Sequence, residues 1–251
     1  MHSPIRTPIP IETLLLAYRS GIFPMADKRS DEEVFWVEPR ERAIIPLDQL
    51  HISRSLRKTL RSDRFAVTIN TAFEDVIRAC AAPREEQAES WISDRIVASY
   101  VQMHAAGHAH SVECWIDESA TSDGRADGGE RRLTLVGGLY GVSFDRVFCG
   151  ESMFSVHDNA SKIALCWLVA LLQEAGYQLL DCQFMTDHLA SMGAIEIPQA
   201  RYIDCVAEAR GTPSSSLADA YRSLVGEGAY AGSDSVSSPG KRIAQSLIQT
   251  S

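Results

Sequence analysis

The stretch "YQLLDCQF", residues 177–184, places a carboxylate and an amide two positions apart near the end of an apolar run. Successive side chains of a strand point to opposite faces. Asp181 and Gln183 therefore share one face, and Leu180, Cys182 and Phe184 take the other. In a run apolar enough to be buried, such polar groups must be hydrogen-bonded or do chemistry. For a carboxylate beside an amide, that chemistry is proton handling or the orienting of a substrate by hydrogen bonds. The position alone equally fits a strand end whose Asp caps a loop.

A second carboxylate occurs in "FCGESMFS", residues 148–155, where strand alternation sets Glu151 and Met153 on one face and Ser152 and Phe154 on the other. The segment after it carries Leu165, Leu168 and Leu172 at helical spacings i, i+3 and i+7, a stripe able to line one wall of a cavity. Leu180 precedes Asp181 and would close that cavity's end. The spacing predicts an apolar pocket with carboxylates at its mouth, although an ordinary core stripe has the same pattern. Other chemistry is less well supported. His108 and His110 have the same-face spacing of a strand metal pair but no third ligand nearby, so hydrogen-bonded histidines are expected. Asp158 (or Asn159 after it) and Asp187, each Asp beside a histidine, are expected to cap helices. No G-x-S-x-G, Walker loop or dinucleotide-binding glycine fingerprint is present.

The elements that must hold these residues read as an α+β protein. Residues 1–63 form a small N-terminal domain, with a short helix "IETLLLAYRSG" ending at Gly21. Residues 64–209 form the larger domain: the strand "FAVTIN", the helices "AFEDVIRACA" and "WISDRIVASYVQMHAAG", and three successive strands in "HAHSVECWI", "LTLVGGLYGVSF" and "RVFCGESMF". The helix "ASKIALCWLVALLQEAG", apolar on most sides, is buried. The Asp181 strand, the helix "TDHLASMG" and a final strand near "AIEIPQARYIDCV" complete the series. Antiparallel strands followed by strand–helix–strand suggest a mixed sheet with helices packed on it. The polar segment 117–132 reads as a long hairpin loop. Residues 210–251, poor in large apolar side chains, are expected to be mostly disordered.

Composition bounds the function. A net charge of −9 argues against a protein that coats nucleic acid indiscriminately. Yet residues 40–64 hold seven Lys/Arg and three Asp/Glu, a local balance of +4. Arg54, Arg57, Lys58 and Arg61 share a helical face there, which fits either a solvated surface or phosphate binding. The six cysteines are widely spaced and several lie in apolar runs, as reduced, buried thiols do. The longest apolar segment, "IALCWLVALL", has ten residues, against the ~20 needed to span a membrane. A cytoplasmic protein is expected.

Taken together, "GIFPM", "HISRSL", "LVGGLYGV", "FCGESMFS", "LLDCQ" and "DHLASMGA" resemble the leucyl/phenylalanyl-tRNA–protein transferases, in that family's order and over about residues 14–203. The resemblance implies transfer of Leu or Phe, with Met a further candidate, from aminoacyl-tRNA to the N-terminal Arg or Lys of acceptor proteins. The product is a degradation signal of the N-end rule pathway. It also implies an acetyltransferase-like (GNAT-related) larger domain and no metal or coenzyme; nothing in the sequence calls for more than a monomer. By the same resemblance, Asp181 and Gln183 act at the reacting amine, and Glu151 recognises the acceptor's N-terminal Arg or Lys. Leu139, Met153, Leu165, Leu168, Leu172 and Leu180 form the aminoacyl pocket. Trp36, Trp91 and Tyr100 hold the tRNA's terminal adenosine, and the basic run, with Arg40, Arg54, Arg57, Lys58 and Arg61, meets the acceptor-stem phosphates.

The chain departs from the family pattern at Met25, where Trp is common, and at Leu168 and Leu172, where other members have aromatic residues. These departures bear on the ranking of Leu against Phe. A coenzyme A-dependent acyltransferase is the main competitor, since the fold is shared. The strand–helix junction "ESMFSVHDNASK" lacks the glycines of a pyrophosphate-binding turn. A non-enzymatic tRNA-binding module gives no reason for Asp181, Gln183 and Glu151 to gather beside an apolar pocket.

Overall fold

The computed structural model describes residues 7–31, 33–83, 89–119, 132–226 and 238–247. In chain order the first elements are α1 (Ile11–Arg19), β1 (Phe23–Met25), β2 (Phe35–Val37), β3 (Glu41–Ile45), α2 (Arg54–Arg61), β4 (Ala66–Ile69), α3 (Phe73–Ala81) and α4 (Asp94–Ala105). Next come β5 (Ala109–Asp117), β6 (Leu133–Phe144), β7 (Val147–Ser155), α5 (Ala160–Glu174), β8 (Leu179–Gln183) and α6 (Asp187–Ser191). The last are β9 (Ile195–Pro198), α7 (Gln199–Glu208), α8 (Leu217–Val225) and α9 (Pro239–Ser246).

β1 and β2 pair as a small separate sheet, and the remaining strands form a seven-stranded sheet in the order β4-β5-β6-β7-β8-β3-β9. Every neighbouring pair is antiparallel except β7 and β8. Parallel neighbours require a crossover, and α5 supplies it. The helix is buried along most of its length because it is sandwiched between the sheet and α2, α8 and α9. α1, α3, α4 and α7 cover the opposite face. Alternation along β8 serves both sides: Leu180 joins the α5 core and Leu179 the other. A fully buried leucine contributes about 1.5–3 kcal/mol, so the strand's position is strongly set.

β7 and β8 stay together only through Val147–Leu179, Phe148–Leu180 and Cys149–Asp181. β7 then continues to Ser155, leaving a gap on its β8 side in the middle of the sheet. β3, which precedes residue 63, is hydrogen-bonded between β8 and β9, so the large sheet draws strands from both sides of that expected boundary.

Three expectations need correction. The expected final strand is present but limited to Ile195–Pro198, and residues 199–208 after it are helical: Tyr202 and Val206, four apart, form the buried face of α7. The tail beyond 210 contains α8 and α9, whose Leu217, Ala220, Val225, Ile243 and Ala244 are buried in the α5 core. Small and scattered apolar residues suffice there because a preformed surface receives them. Residues 227–237 and 248–251 of that tail, and 120–131 of the expected loop, lie outside the described residues. Finally, Thr186 rather than Asp187 caps α6, accepting from the Leu189 N–H, and Asn159 occupies the α5 N-cap position with no side-chain cap bond.

Candidate active site

The gap between β7 and β8 opens into a cavity of about 670 Å³. Leu139 of β6, Met153 of β7, Leu165 and Leu168 of α5 and Leu180 of β8 give it an aliphatic wall, and Met25 and Trp91 also line it. Leu172, expected in that wall, is absent from the lining and lies in the core, 0% exposed. The helical stripe is real, but its last member passes below the cavity floor.

Gln183 and Glu151 supply the cavity's polar end. Gln183 Nε2 donates to Glu151 Oε1 at 2.7 Å, and the Tyr100 hydroxyl donates to Glu151 Oε2 at 3.1 Å. Burial pushes the Glu151 pKa up to about 7, against hydrogen bonds from Tyr18 and Tyr100 that favour the carboxylate. The group therefore changes charge near neutrality rather than in the usual carboxylate range. Gln183 reaches the cavity because its backbone adopts φ +64°. Strand alternation alone would have turned it the same way as Asp181.

Asp181 is farther from the cavity than its sequence position suggests. It is 0% exposed and is absent from the cavity lining. Arg42 of β3 holds it in a two-pronged ion pair, Nε to Oδ1 at 2.8 Å and Nη2 to Oδ2 at 2.5 Å. Burial works against the Arg42 charge, but the adjoining Asp181 outweighs it and raises the guanidinium pKa. Arg42 was missed among candidate residues. Its signal is that it begins "RAII", a strand-like apolar run, whereas Arg54–Arg61 lie on a polar helix.

The residues expected to hold adenosine separate. Trp91 lines the cavity, and Trp36 of β2 is 40% exposed outside its lining. Tyr100 is 0% exposed, so no base can stack on it as it stands. Its place is beneath Glu151, in hydroxyl contact with Tyr18. Arg54, Arg57, Lys58 and Arg61 line one groove on α2, and Arg40 is exposed on the chain entering β3. His110 hydrogen-bonds Asn70 and Ser143, as expected of a structural histidine.

The split central sheet of this α+β fold opens an aliphatic cavity that ends at an amide and a carboxylate. Residues 44–207 match the family model "Leucyl/phenylalanyl-tRNA protein transferase", and residues 8–40 match that family's N-terminal domain. A leucyl/phenylalanyl-tRNA–protein transferase of Novosphingobium aromaticivorans is 53% identical over 97% of each chain. One of Rhizorhabdus wittichii is 52% identical over 76% of this chain and 71% of its own. Among solved structures, FemX is similar with a TM-score of 0.46 and 10% identity, over 75% of this chain and 66% of that one. The chain belongs to the leucyl/phenylalanyl-tRNA protein transferase family.

Proposed function

We propose that this protein takes leucine or phenylalanine from its tRNA ester and joins it to the N-terminal amine of proteins beginning with Arg or Lys, marking them for degradation by the N-end rule pathway. It is an aminoacyltransferase that uses aminoacyl-tRNA and protein acceptors. The observation carrying the finer reading is the aliphatic cavity ending at the hydrogen-bonded Gln183 and Glu151.

The amine nitrogen attacks the ester carbonyl carbon. A C–N bond forms, the bond from that carbon to the ribose oxygen breaks, and the proton lost by the amine ends on that oxygen as a hydroxyl. The ester is already activated, so the protein's task is placement. An α-amine with pKa near 8 is partly neutral around neutrality. Gln183 gives its Nε2 hydrogen to Glu151, leaving its carbonyl oxygen to accept from the attacking amine. Ionised Glu151 pairs with the acceptor's cationic side chain. The aliphatic wall receives the leucyl or phenylalanyl group. Trp91 and Trp36 offer stacking for the terminal adenosine, worth about 1–3 kcal/mol per base. The α2 groove and Arg40 take acceptor-stem phosphates. One chain carries every one of these groups, so a monomer suffices, and the reaction calls for no coenzyme or metal.

The test is transfer of radiolabelled leucine from charged tRNA to a protein beginning with Arg, beside an otherwise identical protein beginning with Met. Labelling of the first alone is expected. No labelling of Arg- or Lys-starting proteins by folded enzyme would remove the reading.

A further inference from the structure

The Asp181 carboxylate has no acceptor capacity left. A carboxylate offers about four acceptor positions. Oδ1 accepts from Arg42 Nε and from the Gln183 backbone N–H, each at 2.8 Å. Oδ2 accepts from Arg42 Nη2 at 2.5 Å and from the Tyr202 hydroxyl at 3.1 Å. Arg42 is itself 0% exposed. Its Nη1 donates to the Gly21 carbonyl at 3.0 Å, and its guanidinium lies 4.3 Å from the Tyr202 ring centre and 4.9 Å from that of Phe23. Cys149 of β7, a thiol that burial keeps neutral, also hydrogen-bonds Asp181, and Glu151 of the same strand is the other titratable group facing this pair.

Within the chain Arg42–Asp181–Gln183, Gln183 alone lines the cavity. Its left-handed backbone is one a non-glycine residue keeps only where its surroundings enforce it. The bond from the Gln183 N–H to Asp181 is part of that enforcement, beside the pairing with Ala43 at the register shift in β3 and the side-chain bond to Glu151.

We propose that Arg42 is a positioning residue of the transfer reaction: by saturating Asp181 it makes that carboxylate a clamp on the Gln183 backbone and withdraws it from proton transfer. The proposal rests on the aminoacyl-transfer reading above. Arg42 also gathers Gly21 and Phe23, both inside the 8–40 match to the family's N-terminal domain. The same guanidinium thus ties that segment to the catalytic strand.

The experiment follows leucyl transfer from charged tRNA to an Arg-starting protein across pH, with kcat and KM measured separately. Arg42→Gln is expected to lower kcat by about 100-fold, the scale of a misplaced reacting group, with the KM for charged tRNA little changed. Adding Asp181→Asn removes the uncompensated buried charge and is expected to restore about tenfold. The double variant keeps the wild-type pH profile although it has no carboxylate at 181. A folded double variant no faster than Arg42→Gln overturns the proposal, because relieving the uncompensated charge then did not restore the placement of Gln183. Tyr202→Phe decides the matter if the double variant does not fold. It removes one hydroxyl from Asp181 and is expected to lower kcat a few-fold without moving the pH profile. An upward move of the profile means Asp181 titrates in the reaction and overturns the proposal. Wild-type enzyme run alongside separates the two claims, since wild type that transfers nothing overturns the underlying reading as well.

Discussion

Gln183 Nε2 donates to Glu151 Oε1 across 2.7 Å, so a carboxyl with a pKa near 7 and a neutral amide face the cavity as one unit. The pair divides the work of holding an acceptor: the amide oxygen takes the reacting amine and the carboxylate takes the cation beside it. The amine and Glu151 each have a protonation requirement, and pH should separate them. Below about pH 7, log kcat/KM for an Arg-starting acceptor should rise with slope near two, one proton leaving Glu151 and one leaving the amine, whose pKa is about 8. Between those values the slope should be one, and above them zero. Glu151→Gln should show the amine's slope of one throughout the acid range. A slope of one in wild type would mean that Glu151 is not required in its ionised form.

Glu151 also has a cost for the fold. Its folded pKa, about 7, lies above the ordinary value of 4.5. The neutral form is therefore favoured by folding, with the stabilisation fully present below the ordinary pKa and lost as pH rises through about 7. Glu151→Gln, neutral at every pH, should unfold at a higher temperature than wild type at pH 8 and lose the difference toward pH 4. The gain should be on the order of 1–3 kcal/mol. Thermal unfolding monitored at both pH values tests this. Equal melting temperatures at pH 8 would place the Glu151 charge in a better-solvated site than its 7% exposure implies.

The aliphatic wall determines which amino acid is carried. Leu168 is 1% exposed and borders the cavity. Leu168→Phe should fill space that a phenylalanyl ring needs and a leucyl group does not. Competition between leucyl- and phenylalanyl-tRNA should shift toward leucine by about 10–200-fold, the range for a mismatch of about a methylene in an apolar pocket. An unchanged ratio would place the discriminating residue elsewhere in the wall.

How much of this site is legible along the chain follows from the range of the forces involved. Asp181, Gln183 and Glu151 stand out because each interrupts a local apolar pattern, and local patterns can be read in sequence. Arg42 does not, because it is one of seven cations between residues 40 and 64. Only the pairing of β3 with β8 buries it against Asp181. Tyr100 looks like a stacking platform from its neighbours in sequence. The packing of α1 against α4 instead turns its hydroxyl toward Tyr18 and Glu151. The same limit explains Leu172, since a helical stripe gives a face but not the depth at which a cavity ends.

The α2 groove should act through charge alone. Arg54, Lys58 and Arg61 are exposed on α2 and line one groove with Arg57. Replacing Arg54 and Lys58 by Gln should weaken charged-tRNA binding for leucyl and phenylalanyl species alike and leave kcat unchanged. The slope of log affinity against log salt should become shallower by about 0.9 for each duplex phosphate that is no longer neutralised. An unchanged salt slope would show that the acceptor stem lies elsewhere.

The helix that carries that groove packs against α9, which lies beyond the 44–207 family match. The Gly240 N–H at the start of α9 donates to Asp63 Oδ1 at 2.7 Å, just past the end of α2. Ser238 makes no side-chain cap, so Asp63, from the turn after α2, serves α9 as a cap. The approach is close: a Cβ on Gly240 would fall 1.9 Å from the Leu60 carbonyl oxygen and 2.6 Å from Asp63 Oδ1. Backbone cannot yield there as a flexible side chain would. Gly240→Ala should therefore push α9 off α2, destabilising the protein by about 1–3 kcal/mol, which is roughly 2–12 °C for a chain of this size. Asp63→Ala should remove only the cap, about 0.5–2 kcal/mol. Because α9 supports the helix that carries the basic groove, Gly240→Ala should raise the KM for charged tRNA while kcat holds. A melting temperature and KM that both stay at wild-type values would show that α9 does not rest on α2 in solution. A lowered melting temperature with an unchanged KM would show that α9 stabilises the fold without orienting the groove.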